Sequence, residues 1–337
     1  MARNRLFFLG ILGLTISFTV VVSVLSLALG PSGIDVVEAF RLWMEGKEGL
    51  GRDILVKIRF PRWLLGLSVG GALSLAGLIL QSLFANPLVE PYTLGISGGA
   101  TLGVCIGIVV GKWMGWQFPL FVWSLGGGFL FMGILYLLSR RRRNSLATIY
   151  LSEMLLLGLM LSFLSSGMVM FFLALARAAD LHQIISWTMG SLEQGRPVLL
   201  PWIGSVSVVG CVVAWLLHRE LNAFLLGEEE AFFLGVSVEV MKRVFFVLAV
   251  VLTAFAIAGA GVIGFVGLLV PNLYRKVVGT NHRWLVPLTF VGGGGFLVGC
   301  DLLARVVIAP LELPVGVITG ILGGVLFMGI LLGEKRQ

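Results

Sequence analysis

Ten stretches of this chain are apolar over about the 20 residues that a bilayer-spanning helix requires, and nothing else in the sequence limits the fold as strongly. They fall at about 6–29, 62–82, 93–111, 119–138, 149–175, 198–217, 243–259, 262–278, 284–303 and 315–332, bounded by Pro, Gly and charged residues. Of the 337 residues 58% are hydrophobic and 12% charged, against roughly a quarter charged in a soluble domain. No water-soluble fold could hide that surface. The expected fold is an all-α polytopic membrane protein of about ten transmembrane helices per subunit. Only about 100 residues remain for connections, too few for a second catalytic domain, so residues 1–337 read as one transmembrane domain.

The net charge of +7 does not point to nucleic acid, because the basic residues sit in short clusters between apolar stretches. They mark membrane topology instead, and the partner they imply is the lipid bilayer. An N-terminus in the cytoplasm places Arg3, Arg5, the run Arg140 to Arg143, Arg219, Lys242, Arg243, Arg275, Lys276, Arg283, Lys335 and Arg336 on the inner side. Both termini are then cytoplasmic, and two five-span halves of opposite orientation are permitted. The first stretch ends near Ala28-Leu29-Gly30, faintly like a secretory cleavage site, but it exceeds the usual 7–15 residues of a signal core. It reads as an uncleaved span. Cys105, Cys211 and Cys300 each lie inside an apolar stretch without Cys-x-x-Cys spacing, so they are expected to pack rather than to form a disulfide or a metal site.

Signatures of catalysis are missing. Gly107 to Trp113 approaches a phosphate loop but is one residue short, lacks the final Ser or Thr, and lies in a span. His182, His218 and His282 are scattered at different span ends without metal-ligand spacing. Asp301 is the clearest intramembrane acid, and Arg305, one helical turn on, is placed to pair with it. Glu153 is expected to pair at the interface near the Arg140 to Arg143 run. The chain therefore reads as no enzyme, with no metal and no bound cofactor.

Glycines recur every fourth residue at Gly95, Gly99, Gly103, Gly107 and Gly111, and again at Gly316, Gly320 and Gly324. Such stripes let helix backbones approach closely. Two connections are informative. The segment 219–243 is too polar to span. Within it Gly227 and Gly235 bracket a piece whose acids Glu228 to Glu230 suit a helix N-terminus, leaving Phe232, Phe233 and Leu234 for burial. It predicts two short cytoplasmic helices, and the pattern leaves open whether they fill a lipid-facing gap or form a ridge for a partner's groove. The loop Gln81 to Pro91 carries Pro87 and Pro91, which break the helix where irregular backbone can line a cavity.

Together these segments resemble the permease family of type II ABC importers for iron-siderophores, haem and cobalamin, the FecCD-type transmembrane subunit. The matching pieces are Arg59-Phe60-Pro61-Arg62, Asn86-Pro87-Leu88 with Pro91, Leu94 to Ala100, Trp187 to Leu192, Leu221 to Gly235, Gly264 to Pro271, Asp301 to Arg305 and Glu312 to Gly316. They run in order over nearly the whole chain. The resemblance implies a homodimer in the cell membrane that moves a ferric siderophore, haem or cobalamin by alternating access. It further implies two separate ATP-binding-cassette ATPase subunits that hold ATP and Mg, and a periplasmic or lipoprotein substrate-binding protein. An ion-gradient-driven secondary transporter is the alternative reading.

By the same resemblance, Arg59, Arg62 and Arg305 would dock acidic residues of the binding protein. Leu221, Asn222, Gly227, Glu228, Glu229, Ala231, Phe232, Leu234 and Gly235 look like the ATPase-coupling helices, and Asn86, Leu88 and Ser152 like part of the cytoplasmic gate. The chain departs from the family at Asn272, where His is frequent, and at Val325, where Pro is frequent.

Overall fold

The computed structural model describes residues 2–30, 36–116, 118–141, 147–193, 198–309 and 311–334, and all regular structure there is helical. After α1 (Ala2–Ala28) come two short helices, α2 (Val36–Met44) and α3 (Leu50–Ile54); α3 passes through a π-helical turn, Leu55–Arg59, into α4 (Phe60–Leu83). A 3-10 turn, Pro91–Leu94, leads to α5 (Ile96–Ile106), which closes in a second π turn, Gly107–Gly111. Then follow α6 (Leu120–Arg141), α7 (Ala147–Leu175), α8 (Ala178–Thr188), α9 (Leu200–Leu216), α10 (His218–Phe224) and α11 (Glu228–Phe233). The chain ends with α12 (Val238–Ala260), α13 (Val266–Val278), α14 (His282–Val306) and α15 (Val315–Glu334).

Six of these helices are long and apolar enough to cross a membrane; α9 with α10 forms a seventh that bends by 68°, and α5 and α15 are shorter apolar helices. With α13 the expected ten apolar elements are present, but α13 has only 13 residues. At ~1.5 Å per residue it covers about 20 Å, short of the ~30 Å hydrocarbon core. The expected span at 262–278 begins late because Gly261 to Phe265 leaves the helix, with Phe265 in the left-handed region at φ 68°.

That irregular stretch is held by a second one. The Tyr92 hydroxyl donates to the Ile263 carbonyl at 2.5 Å and accepts from its amide at 2.9 Å, while the Glu90 carboxyl bonds the Phe265 amide and Gln81 Nε2 donates to the Gly267 carbonyl at 3.1 Å. Backbone groups freed by broken helices must find such partners inside a membrane. The Gln81–Pro91 loop breaks the helix as its prolines predict.

A layered burial explains the apolar content. In α4 83% of the most apolar window is inside the protein, against 17% in α1 and α7, so α4 is a central post and α1 and α7 lie at the outside of the subunit. Backbones meet α4 where glycine allows it: a Cβ on Gly77 would stand 1.9 Å from the Gly267 carbonyl oxygen, and one on Gly70 2.3 Å from that of Gly293. The first glycine stripe behaves as expected, since Gly99, Gly103 and Gly107 lie against Gly127, Trp123 and Phe131 of α6. Along the second, Gly316 touches Met189, while Gly320 and Gly324 meet nothing within 4 Å among the described residues of this chain. The side chains of Arg3, Arg5, the Arg140 to Arg143 run and the C-terminal basic residues, on which the orientation rests, lie outside the described residues.

Candidate functional site

Helices α1, α4 and α14 bring charged groups together at one end of the bundle. The π turn runs directly into α4, so Arg59 and Arg62 both turn inward, 6% and 8% exposed; Arg305, near the end of α14, is 4% exposed and Asp301, one turn before it, 1%. Asp301 bridges two guanidinium groups. Arg62 Nη2 lies 2.8 Å from Asp301 Oδ1, and Arg305 Nε 3.1 Å from Asp301 Oδ2. Arg62 Nη1 reaches Glu312 Oε2 at 2.7 Å. The expected Asp301–Arg305 pair therefore exists within a larger network.

The remaining donors close the end of α1. Arg59 Nη1 donates to the Leu27 and Ala28 carbonyls at 2.7 and 3.0 Å, and Arg305 Nη2 to Ser26 Oγ at 2.7 Å and to the Ser26 carbonyl at 3.2 Å. These are the orphan acceptors that a helix C-terminus presents, where positive charge is favoured. Three arginines against two carboxylates leave this cluster with one positive charge in excess.

At the opposite end of α4 lies the polar segment after α9. Two short helices are present as predicted. Leu221, Ala223 and Phe224 of α10 and Ala231 of α11 are buried, with Phe224 edge-on to Phe245 of α12 at 5.8 Å. Gly227 at φ 116° makes the corner between the helices, a backbone that other residues rarely adopt, and Gly235 at φ 83° ends the second. Glu228 pairs with Lys242.

The expected burial of Phe232, Phe233 and Leu234 is corrected by the structure: they are 68%, 84% and 64% exposed. The six-residue α11 turns one face to the bundle, and Ala231 occupies it. Glu229 is exposed as well.

Asn222 of α10 points back into the protein. Its Oδ1 accepts from the backbone N–H of His282, at the start of α14, at 2.9 Å and bonds the His282 ring Nδ1 at 2.8 Å. Nearby, Asn86 Oδ1 accepts from the Leu88 amide at 2.9 Å, and Leu88 is exposed. Asn272, the departure from the family pattern, ties this loop down by donating to the Pro87 carbonyl at 2.8 Å while Arg275 Nη1 donates to its Oδ1 at 2.9 Å. The Ser152 side chain lies outside the described residues. Among the described residues no group of three or more His, Cys, Asp or Glu is placed to hold a metal.

Sequence reading missed Ser82, Tyr92, Asn272 and His282 as connectors. His282 follows Asn281, whose side chain caps α14 by accepting from the Arg283 amide, and that start signal was the one available clue.

The comparisons agree with this architecture. The model of the FecCD transport family matches residues 18–333. The chain is 37% identical over 320 residues to the hemin transport system permease protein HmuU of Yersinia pestis, covering 92% of this chain and 93% of that one. It is 34% identical over 297 residues to the vitamin B12 import system permease protein BtuC of Klebsiella pneumoniae, covering 88% and 86%. A solved inward-facing conformation of a metal-chelate type ABC transporter superposes with a TM-score of 0.83 at 28% identity, over 96% of this chain and 99% of that one. This multi-pass membrane protein belongs to the FecCD transport family and is an ABC-transporter permease, a class whose ATPase is a separate subunit.

Proposed function

We propose that the chain is the membrane-spanning subunit of an ATP-driven importer that passes an iron chelate, haem or cobalamin from a binding protein to the cytoplasm by alternating access. Two copies form the pathway, both termini are cytoplasmic, and ATP and Mg are held by two ATPase subunits on the inner side. The α10–α11 segment is the ATPase seat, with Leu221, Asn222, Gly227, Glu228, Glu229, Ala231, Phe232, Leu234 and Gly235 shaping it. Asn86, Leu88 and Ser152 contribute to the inner gate, and Arg59, Arg62 and Arg305 to binding-protein docking.

The observation that carries this reading is the exposed Phe232-Phe233-Leu234 ridge, standing on α11 between two left-handed glycines. Large apolar side chains presented together on a fixed helix mark a protein interface. The cargo class follows the relatives, which serve haem and vitamin B12.

Reconstitution tests it. In liposomes the purified chain alone should neither hydrolyse ATP nor take up cargo, and adding the cognate ATPase and the loaded binding protein should produce both activities. Uptake by the lone chain under an ion gradient would overturn the proposal in favour of a secondary transporter.

A further inference from the structure

His282 is completely buried, and its one side chain joins three elements. Its ring Nδ1 meets Asn222 Oδ1 of α10 at 2.8 Å, and its Nε2 meets Ser82 Oγ, in the last turn of α4, at 2.6 Å. The donors can be assigned from chemistry. Asn222 Oδ1 already accepts from the His282 backbone amide at 2.9 Å, so that atom is the amide oxygen, and the Nδ1 facing it must carry the proton. In the neutral ring Nε2 is then an acceptor, and the Ser82 hydroxyl donates to it.

Ser82 has a second choice. The Leu78 carbonyl is 2.8 Å from the same hydroxyl, so its single proton serves either the histidine or its own helix. The Ser82–His282 bond is a two-position contact, made while Asn222 holds the ring and exchangeable for the Leu78 carbonyl when the ring withdraws.

What the ring touches is stiff. Glycines bring α4 and α14 into backbone contact at Gly70 and Gly293, and Gly66 packs on Val298. The buried Arg62–Asp301 pair joins the same two helices again at their other end. From His282 to Asp301 is 19 residues along one helix, which carries Pro287 near its start, or about 28 Å. A push on the start of α14 is therefore passed toward the arginine cluster through a helix that the glycine contacts hold against α4.

We propose that Asn222, His282 and Ser82 form a hydrogen-bonded link that passes movement of the α10–α11 segment to the α4–α14 pair, and through that pair to the arginine cluster. His282 and Ser82 are positioning residues in this scheme. It rests on the reading of α10–α11 as the ATPase seat.

The test uses the full complex of this chain, the ATPase and the binding protein in liposomes, with Ser82→Ala, Ser82→Thr and His282→Asn. Recovery of the complex, basal ATPase rate, melting temperature and the stimulation of ATPase by loaded binding protein are measured. For Ser82→Ala the recovery and basal rate should match the unaltered chain while stimulation falls about fivefold, the lower range of known site-to-site couplings. Ser82→Thr, which keeps the hydroxyl, should restore it. His282→Asn keeps a donor toward Asn222 but cannot reach Ser82, and should show the same deficit. Full stimulation in both Ser82→Ala and His282→Asn overturns the link. So does a loss of stimulation no larger than the accompanying loss of complex, which marks a merely structural role. An unaltered chain that fails to capture its ATPase sinks the reading of α10–α11 as well, and is seen before any variant is compared.

Discussion

The two ends of α4 break the ordinary rule of burial in opposite directions. At the Arg62 end four charged residues are packed inside the protein beside a partly exposed Glu312, and at the Ser82 end three large apolar side chains are exposed. Buried charges are tolerated when each finds opposite charge and hydrogen bonds, and the arginine cluster supplies both from within one chain. Exposed aromatics have no such internal remedy. The first end is thus self-sufficient with a surplus charge, suited to a partner that comes and goes; the second is incomplete, suited to a partner that stays.

That contrast predicts different failures. Asp301→Ala should produce the largest effect, because it strands two guanidinium groups with Glu312 alone. Removing one member of a buried pair costs about 3–5 kcal/mol, and a fall in melting temperature on the order of 10 °C follows. Thermal unfolding of the detergent-solubilised chain measures it. Asp301→Leu with Arg305→Met keeps the Arg62–Glu312 pair and should recover most of the loss. A melting temperature left unchanged by Asp301→Ala would show that the Arg62 end is not internally held.

The Ser82 end should lose assembly and keep stability. Phe232→Ser with Leu234→Ser removes two anchors that touch little of the subunit itself, so the melting temperature should stay put. Interface anchors of this kind are worth about 1–2 kcal/mol each, and the affinity for the ATPase should fall about thirtyfold to several hundredfold. Undiminished co-purification would break the comparison at this end.

The difference in what could be read beforehand has the same physical root. Spans are a property of local runs, so α4, α6, α7, α12 and α14 were visible from their apolar lengths. The start of α13 was not, because Gly261 to Phe265 is as apolar as its neighbours and leaves the helix only through contacts with Tyr92 and Glu90, some 170 positions away in the chain. Phe232 to Leu234 read as residues for burial and are exposed in this chain, because a hydrophobic pattern does not say which surface a short helix turns to the bundle. His282 was dismissed as an isolated histidine because its partners Ser82 and Asn222 are neighbours in space alone.

The smallest effect concerns the positive charge of the cluster at the Arg62 end, and Arg59 is the residue to vary because it donates to the neutral Leu27 and Ala28 carbonyls. Arg59→Gln brings the cluster from one net positive charge to zero and can still donate to those carbonyls. Arg59→Glu brings it to one net negative charge. If the surplus steers an acidic binding protein, the association rate at low salt should step down from Arg to Gln to Glu, by about tenfold in all. The salt dependence should flatten at Gln and invert at Glu, because long-range attraction between two proteins in water is screened over about 10 Å at 0.1 M salt. Dissociation, governed by contacts made after docking, should change less. Equal association rates for all three side chains would leave the cluster as a helix clamp with no share in docking, and the two ends would then differ only in what they bury.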